Sequence, residues 1–84
     1  MRIFVGNLPY SVRERELHDC FGQWGEVERV RILLDPVGNS RGSALVDMPE
    51  ADALQAIDQL NDRDWDGRTI RVEQARPRLE RRSG

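Results

Sequence analysis

Two short segments of the chain hold residues suited to stacking and ion pairing. They are residues 3–8 (IFVGNL) and residues 41–48 (RGSALVDM). Side chains alternate between the two faces of a strand, so Phe4 points outward if Ile3 and Val5 point into a core. An outward ring offers a planar ligand a stacking surface, and Arg41 offers a phosphate a charged partner. The segments therefore indicate non-covalent binding of an aromatic, anionic ligand.

Both segments resemble those of the RNA recognition motif family. Residues 3–8 match its hexamer: aliphatic, aromatic, aliphatic, any residue, Asn, Leu. Residues 41–48 match the frame of its octamer, which begins with a basic residue and glycine. The resemblance covers residues 1–76 and places the two segments on adjacent central strands, with 77–84 as a flexible basic tail. In its compact length the chain is similar to single-domain bacterial RNA-binding proteins.

The octamer departs from the family at two positions that normally hold stacking rings. Ser43 and Leu45 occupy them. Loss of a stacking ring costs about 1 to 3 kcal/mol per base, so two missing rings cost about 2 to 6 kcal/mol. This corresponds to a loss of affinity between about 30-fold and more than about 10,000-fold. We expect weak binding unless other groups compensate.

The order of apolar patterns predicts β-α-β-β-α-β. Strands are expected near residues 2–6, 27–34, 42–48 and 70–73. Ser11 and Glu14 form a capping-box pattern that opens the first helix, and Pro49 suits the start of the second. Together with the resemblance, this predicts a ferredoxin-like α/β two-layer sandwich with a four-stranded antiparallel sheet and both helices on one face. The other face stays open.

The alternation assigns a set of side chains to the open face. We predict RNA contacts from Phe4, Asn7, Arg31, Leu33, Arg41, Ser43, Leu45, Arg71, Glu73 and Arg76. In this hypothesis Phe4 stacks on one base, while Arg41 and Arg76 hold the backbone of single-stranded RNA. Arginine suits both roles because its planar guanidinium can stack and pair with phosphate. In the alternative interpretation, the arginines pair with Asp47 and Glu73 and only solubilise the face.

Charge is unevenly distributed along the chain. Residues 1–75 hold nine Arg against 14 Asp and Glu, giving −5, whereas residues 76–84 hold four Arg against one Glu, giving +3. The acidic body favours a second hypothesis, in which Leu33, Leu45 and Phe4 form an exposed apolar patch for a protein partner or a homodimer. The basic tail and the intact hexamer favour RNA.

Other functional classes have little support in the sequence. His18 and Cys20 are the sole residues of their types, so no disulfide, metal cluster or nucleophile–base pair stands out, and we expect neither catalysis nor a cofactor. Trp24 and Trp65 are interpreted as core anchors. No stretch resembles a membrane span or a secretory signal, so we expect no membrane association and a cytoplasmic location.

Overall fold

Six strands and two helices follow one another along residues 1–75, the part of the chain that the computed structural model describes. They are β1 (Arg2–Gly6), α1 (Glu14–Phe21), β2 (Arg29–Leu34), β3 (Ser40–Asp47), α2 (Glu50–Leu60), β4 (Asp64–Trp65), β5 (Arg68–Thr69) and β6 (Arg71–Gln74). Arg76 and the predicted tail at residues 77–84 lie outside the described residues.

The main sheet has the strand order β2-β3-β1-β6, and all its neighbours are antiparallel. The two segments singled out in the sequence therefore lie on the adjacent central strands β1 and β3. The predicted ferredoxin-like two-layer fold is confirmed. Strands β4 and β5 form a separate short hairpin, whose turn at Asp66 and Gly67 has positive φ at both residues, as a type I′ turn requires.

The core lies between the sheet and the two helices. The inward side chains of β1 and β3, which are Ile3, Val5, Ala44 and Val46, are fully buried. They share one apolar cluster with Leu17 and Phe21 of α1 and with Ala53, Ala56 and Leu60 of α2. Trp24 and Trp65 pack against this cluster, as predicted. Both helices thus cover the same face of the sheet.

The first helix begins later than Ser11 and Glu14 predict. It starts at Glu14, and the Glu16 side chain accepts a hydrogen bond from the Arg13 N–H at 2.8 Å. Val12 is 6% exposed and belongs to the core, and its N–H donates to the Pro9 carbonyl at 3.2 Å in a turn that ends before the extended residue Arg13. The Glu14 carboxylate instead accepts from the Ile32 N–H at 3.2 Å, on the edge strand β2.

A bulge interrupts the pairing of β2 with β3. Ile32 pairs with Ala44, but Leu34 pairs with Ser40, so one residue of β2 faces three of β3. Gly42, in the bulge, has φ +78 and its carbonyl accepts from the Leu8 N–H at 2.9 Å. A side chain there would be strained by this φ and crowded by neighbouring atoms. The bulge sets which side chains meet at this end of the open face.

Candidate nucleic-acid interface

Phe4 projects from β1 onto the face that the helices leave bare. It is partly exposed, while Ile3 and Val5 on either side are fully buried. The ring lies over Gly6, since a Cβ built on Gly6 would stand 2.8 Å from Phe4 Cε2. The glycine therefore lets the ring lie down along the strand, and the partly exposed ring remains accessible from solvent.

The strand register places Leu45 of β3 and Glu73 of β6 directly opposite Phe4, one on each side. Two shallow grooves meet at the ring. The first, here the Arg71 groove, has a volume of about 410 Å³ and includes Gly6, Ser43 and Arg71 in its lining. The second, here the Glu73 groove, has a volume of about 500 Å³ and is lined by Phe4, Leu45, Glu73, Gln74 and Ala75.

The arginines predicted for the open face have no carboxylate partner within residues 1–75. Arg31, Arg41 and Arg71 are exposed, and none lies within 4.0 Å of an Asp or Glu oxygen in that part of the chain. The ion pair that does form joins Arg2 Nε to Asp47 Oδ1 at 3.0 Å. Its hydrogen bond and charge raise the pKa of Arg2. Asp47 therefore occupies Arg2, whereas Arg31, Arg41 and Arg71 remain available to a ligand.

Arg2 and Arg29 are open-face residues that the sequence analysis overlooked. With Arg31, Leu45 and Asp47 they line a crevice of about 20 Å³ at one end of β1 and β2. Alternation could have placed both residues on the open face, because Arg2 lies two positions before Phe4 and Arg29 two positions before Arg31. This end of the face carries more positive charge than the sequence analysis assigned to it.

The side-chain amide of Asn7, a predicted RNA contact, makes hydrogen bonds within the fold. Asn7 has φ +61, and its Nδ2 donates to the Thr69 carbonyl at 2.7 Å. Arg68 Nη2 donates to its Oδ1 at 2.8 Å. Both ends of the amide are thus occupied in holding the end of β1 against β5. Asn7 lies in the lining of the Arg71 groove.

The apolar patch differs from the predicted one. The regular register before the bulge places Arg31, and not Leu33, directly opposite Leu45, and Leu33 lies at the bulge itself. Phe4, Leu33 and Leu45 are each only partly exposed. Within the predicted patch, Arg31 thus faces Leu45, and Leu33 lies two residues further along β2.

Tyr10 is an exposed ring beside the octamer that sequence reasoning missed. Its side chain is 71% exposed, and its Cε1 would lie 3.1 Å from a Cβ built on Gly42. The ring thus rests near the backbone that links Arg41 to Ser43. The sequence shows only that Tyr10 is an aromatic residue shortly after the hexamer. Its place beside Gly42 could not be read from the sequence.

The two residues considered for nucleophilic chemistry lie on α1. Burial raises the pKa of the Cys20 thiol, and Arg63 lowers it to a smaller extent. A raised pKa keeps the thiol protonated near neutral pH, and the thiolate is the reactive form. His18 is exposed, with its Nδ1 3.9 Å from Asp19 Oδ1. Within residues 1–75 no three His, Cys, Asp or Glu side chains gather as a metal site requires.

Comparison with known proteins decides the family. The RNA recognition motif model matches residues 3–71. The chain belongs to this family. It is 44% identical over 87 aligned positions to the "Putative RNA-binding protein RbpA" of Synechocystis sp., with 100% of this chain and 84% of that protein covered. The bacterial relatives agree with the expected likeness to bacterial RNA-binding proteins.

Solved structures give the same assignment. The chain resembles the crystal structure of RNA Binding Protein PG1 with a TM-score of 0.88 and 43% identity, over 95% of this chain and 99% of that one. It also resembles the protein in an SXL-lethal protein/RNA complex with a TM-score of 0.87 and 34% identity, over 94% of this chain and 48% of that one. These comparisons do not favour the alternative of a protein-binding or self-associating domain.

The described helices are too short and too polar for a bilayer. Neither α1 nor α2 has the length and apolar character that a membrane span requires.

Proposed function

We propose that the open face of the sheet binds single-stranded RNA, with the ring of Phe4 stacking on one base. The observation that carries this proposal is a partly exposed ring between two grooves on the face that no helix covers. Single-strand recognition by this family uses bases that stack on rings projecting from the sheet. The RNA in the SXL-lethal complex, held by a protein of the same fold, adds support.

The phosphates are assigned to the arginines of the same face. Arg31, Arg41 and Arg71 are exposed and have no carboxylate partner within residues 1–75. A guanidinium can fork onto a phosphate or stack on a base. The proposal also includes Arg76, which lies outside the described residues. The acidic body repels RNA at long range, so these local contacts have to supply the electrostatic attraction.

The expected affinity is modest because the stacking surface is incomplete. Ser43 and Leu45 take the places of two family rings, and each ring contributes about 1 to 3 kcal/mol. Salt should weaken binding further, since phosphate contacts release counterions. Titrations therefore belong at low ionic strength. In this proposal the protein binds RNA without catalysing a reaction, and it acts on RNA in the cytoplasm.

The test compares Phe4→Ala with Phe4→Tyr. Removing the ring should weaken binding of a short mixed-sequence RNA by about fivefold to about 150-fold, because one stacking surface is lost. Phe4→Tyr keeps a ring and should bind within a few-fold of the native protein. Fluorescence anisotropy of labelled RNA measures both, and thermal unfolding verifies that both variants are folded.

Equal RNA affinity for a folded Phe4→Ala variant would contradict the stacking role. A native protein that binds no RNA at low salt would contradict the proposed function as a whole.

A further inference from the structure

Glu73 is the charged side chain closest in register to the proposed stacking ring. It lies on β6 directly opposite Phe4, and it is exposed on the same face. Directly opposed residues of antiparallel strands have Cβ atoms about 4.5 to 5.5 Å apart. The carboxylate therefore lies within reach of the edge of a base that stacks on the ring.

A carboxylate at this position opposes RNA binding unless the ligand supplies hydrogen-bond donors. An ionised carboxylate only accepts hydrogen bonds, and it repels phosphate. Within residues 1–75 no arginine lies within 4.0 Å of Glu73 to neutralise it. The base edge that enters the Glu73 groove must therefore carry N–H groups.

The two grooves differ in the groups that they offer. The Arg71 groove is lined by Arg71 and Ser43, which can donate to a phosphate, and also by Asp62. In the Glu73 groove, Glu73 is the charged residue among the lining residues of the described chain. Arg71 is suited to a phosphate of the backbone, whereas the Glu73 carboxylate beside Phe4 is suited to the donor groups of a base edge.

Resting on the proposed function, we propose that Glu73 makes the Phe4 site select guanine and disfavour uracil. The Watson–Crick edge of guanine presents two adjacent donors, N1–H and the N2 amino group, which match the two oxygens of one carboxylate. Adenine and cytosine present one amino group each. The single N–H of uracil stands between two carbonyl oxygens, which the carboxylate repels. The expected order is guanine, then adenine and cytosine, then uracil.

The experiment measures binding of a short uridine oligomer and of the same oligomer with one central guanosine, adenosine or cytidine. A bidentate contact discriminates between bases by about fivefold to about 150-fold, and this is the expected ratio of the guanosine oligomer to the uridine oligomer. In Glu73→Gln the ratio should fall toward one, with uridine binding improved, because the charge is gone and one acceptor has become a donor. Asp58→Asn removes one negative charge from the exposed side of α2 and should leave the ratio unchanged.

The outcomes separate this inference from the function on which it rests. Equal binding of all four oligomers by the native protein, or a guanosine preference that survives in Glu73→Gln, overturns the role of Glu73 while RNA binding stands. A loss of the preference in Asp58→Asn as well assigns it to net charge and also overturns the role. Binding of none of the oligomers at low salt overturns the proposed function together with the inference.

Discussion

Strands β1 and β3 lie side by side with the same alternation, but only their inward halves are alike. Ile3 and Val5 on β1 and Ala44 and Val46 on β3 are all fully buried in one core. Outward, β1 presents a ring at Phe4, whereas β3 presents Leu45 directly opposite. The inward side chains hold the fold together and the outward ones determine what the sheet can bind. Ligand affinity can therefore change by large factors on a sheet whose architecture is unaltered.

The largest expected effect comes from the inward half of β1. Ile3→Ala should lower the free energy of unfolding by about 2 to 5 kcal/mol, because it leaves a cavity in a fully packed core. Val37→Ala, at a loop position that is 82% exposed, should change it by less than about 0.5 kcal/mol. Urea denaturation measures both. Similar losses of unfolding free energy in the two variants would contradict the burial of Ile3 in the core.

A ring placed on the outward side of β3 tests whether the outward side chains determine RNA affinity. Leu45→Phe should raise RNA affinity by about fivefold to about 150-fold, because it places a second ring opposite Phe4. Val37→Phe adds a ring at the tip of the β2–β3 loop and should leave affinity nearly unchanged. Anisotropy titrations at low salt compare the two. An equal gain in both variants would point to non-specific apolar contact.

A smaller effect distinguishes the paired arginine from the unpaired ones. Arg31→Gln should reduce the slope of log affinity against log salt concentration by about 0.7, the value for one phosphate contact to a single strand. Arg2→Gln should reduce it less, since Asp47 already engages Arg2 at 3.0 Å. Binding measured over a series of salt concentrations gives both slopes. A larger reduction in Arg2→Gln would reverse the assignment of these groups.

The fold could be predicted because its signals are local. Alternation along β1, β3 and β6 and the helical spacing of Ala53, Ala56 and Leu60 each follow from a few neighbouring residues. The start of α1 was predicted too early, since burial of Val12 is a tertiary effect that outweighs the cap pattern at Ser11. Local patterns thus determine which elements form more reliably than where they begin.

The geometry of the site depends on contacts between distant parts of the chain. The bulge of β3 forms where Gly42 meets Leu8, and it leaves Leu33 facing three residues of β3. Asn7 holds Thr69, 62 positions away. Neither contact has a signature in the adjacent sequence. Phe4, Arg31 and Glu73 could be assigned to the open face by alternation, whereas their immediate neighbours and the two grooves required the register of the strands.

The most direct test of the central claim is an NMR titration of the native protein with short single-stranded RNA at low salt. We expect chemical-shift changes at the ring of Phe4 and along β3 and β6, including Leu45 and Glu73. No change is expected on the exposed side of α2, at Leu54 and Asp58. Shifts confined to the helices, or none anywhere, would contradict the claim that the open face of the sheet binds RNA.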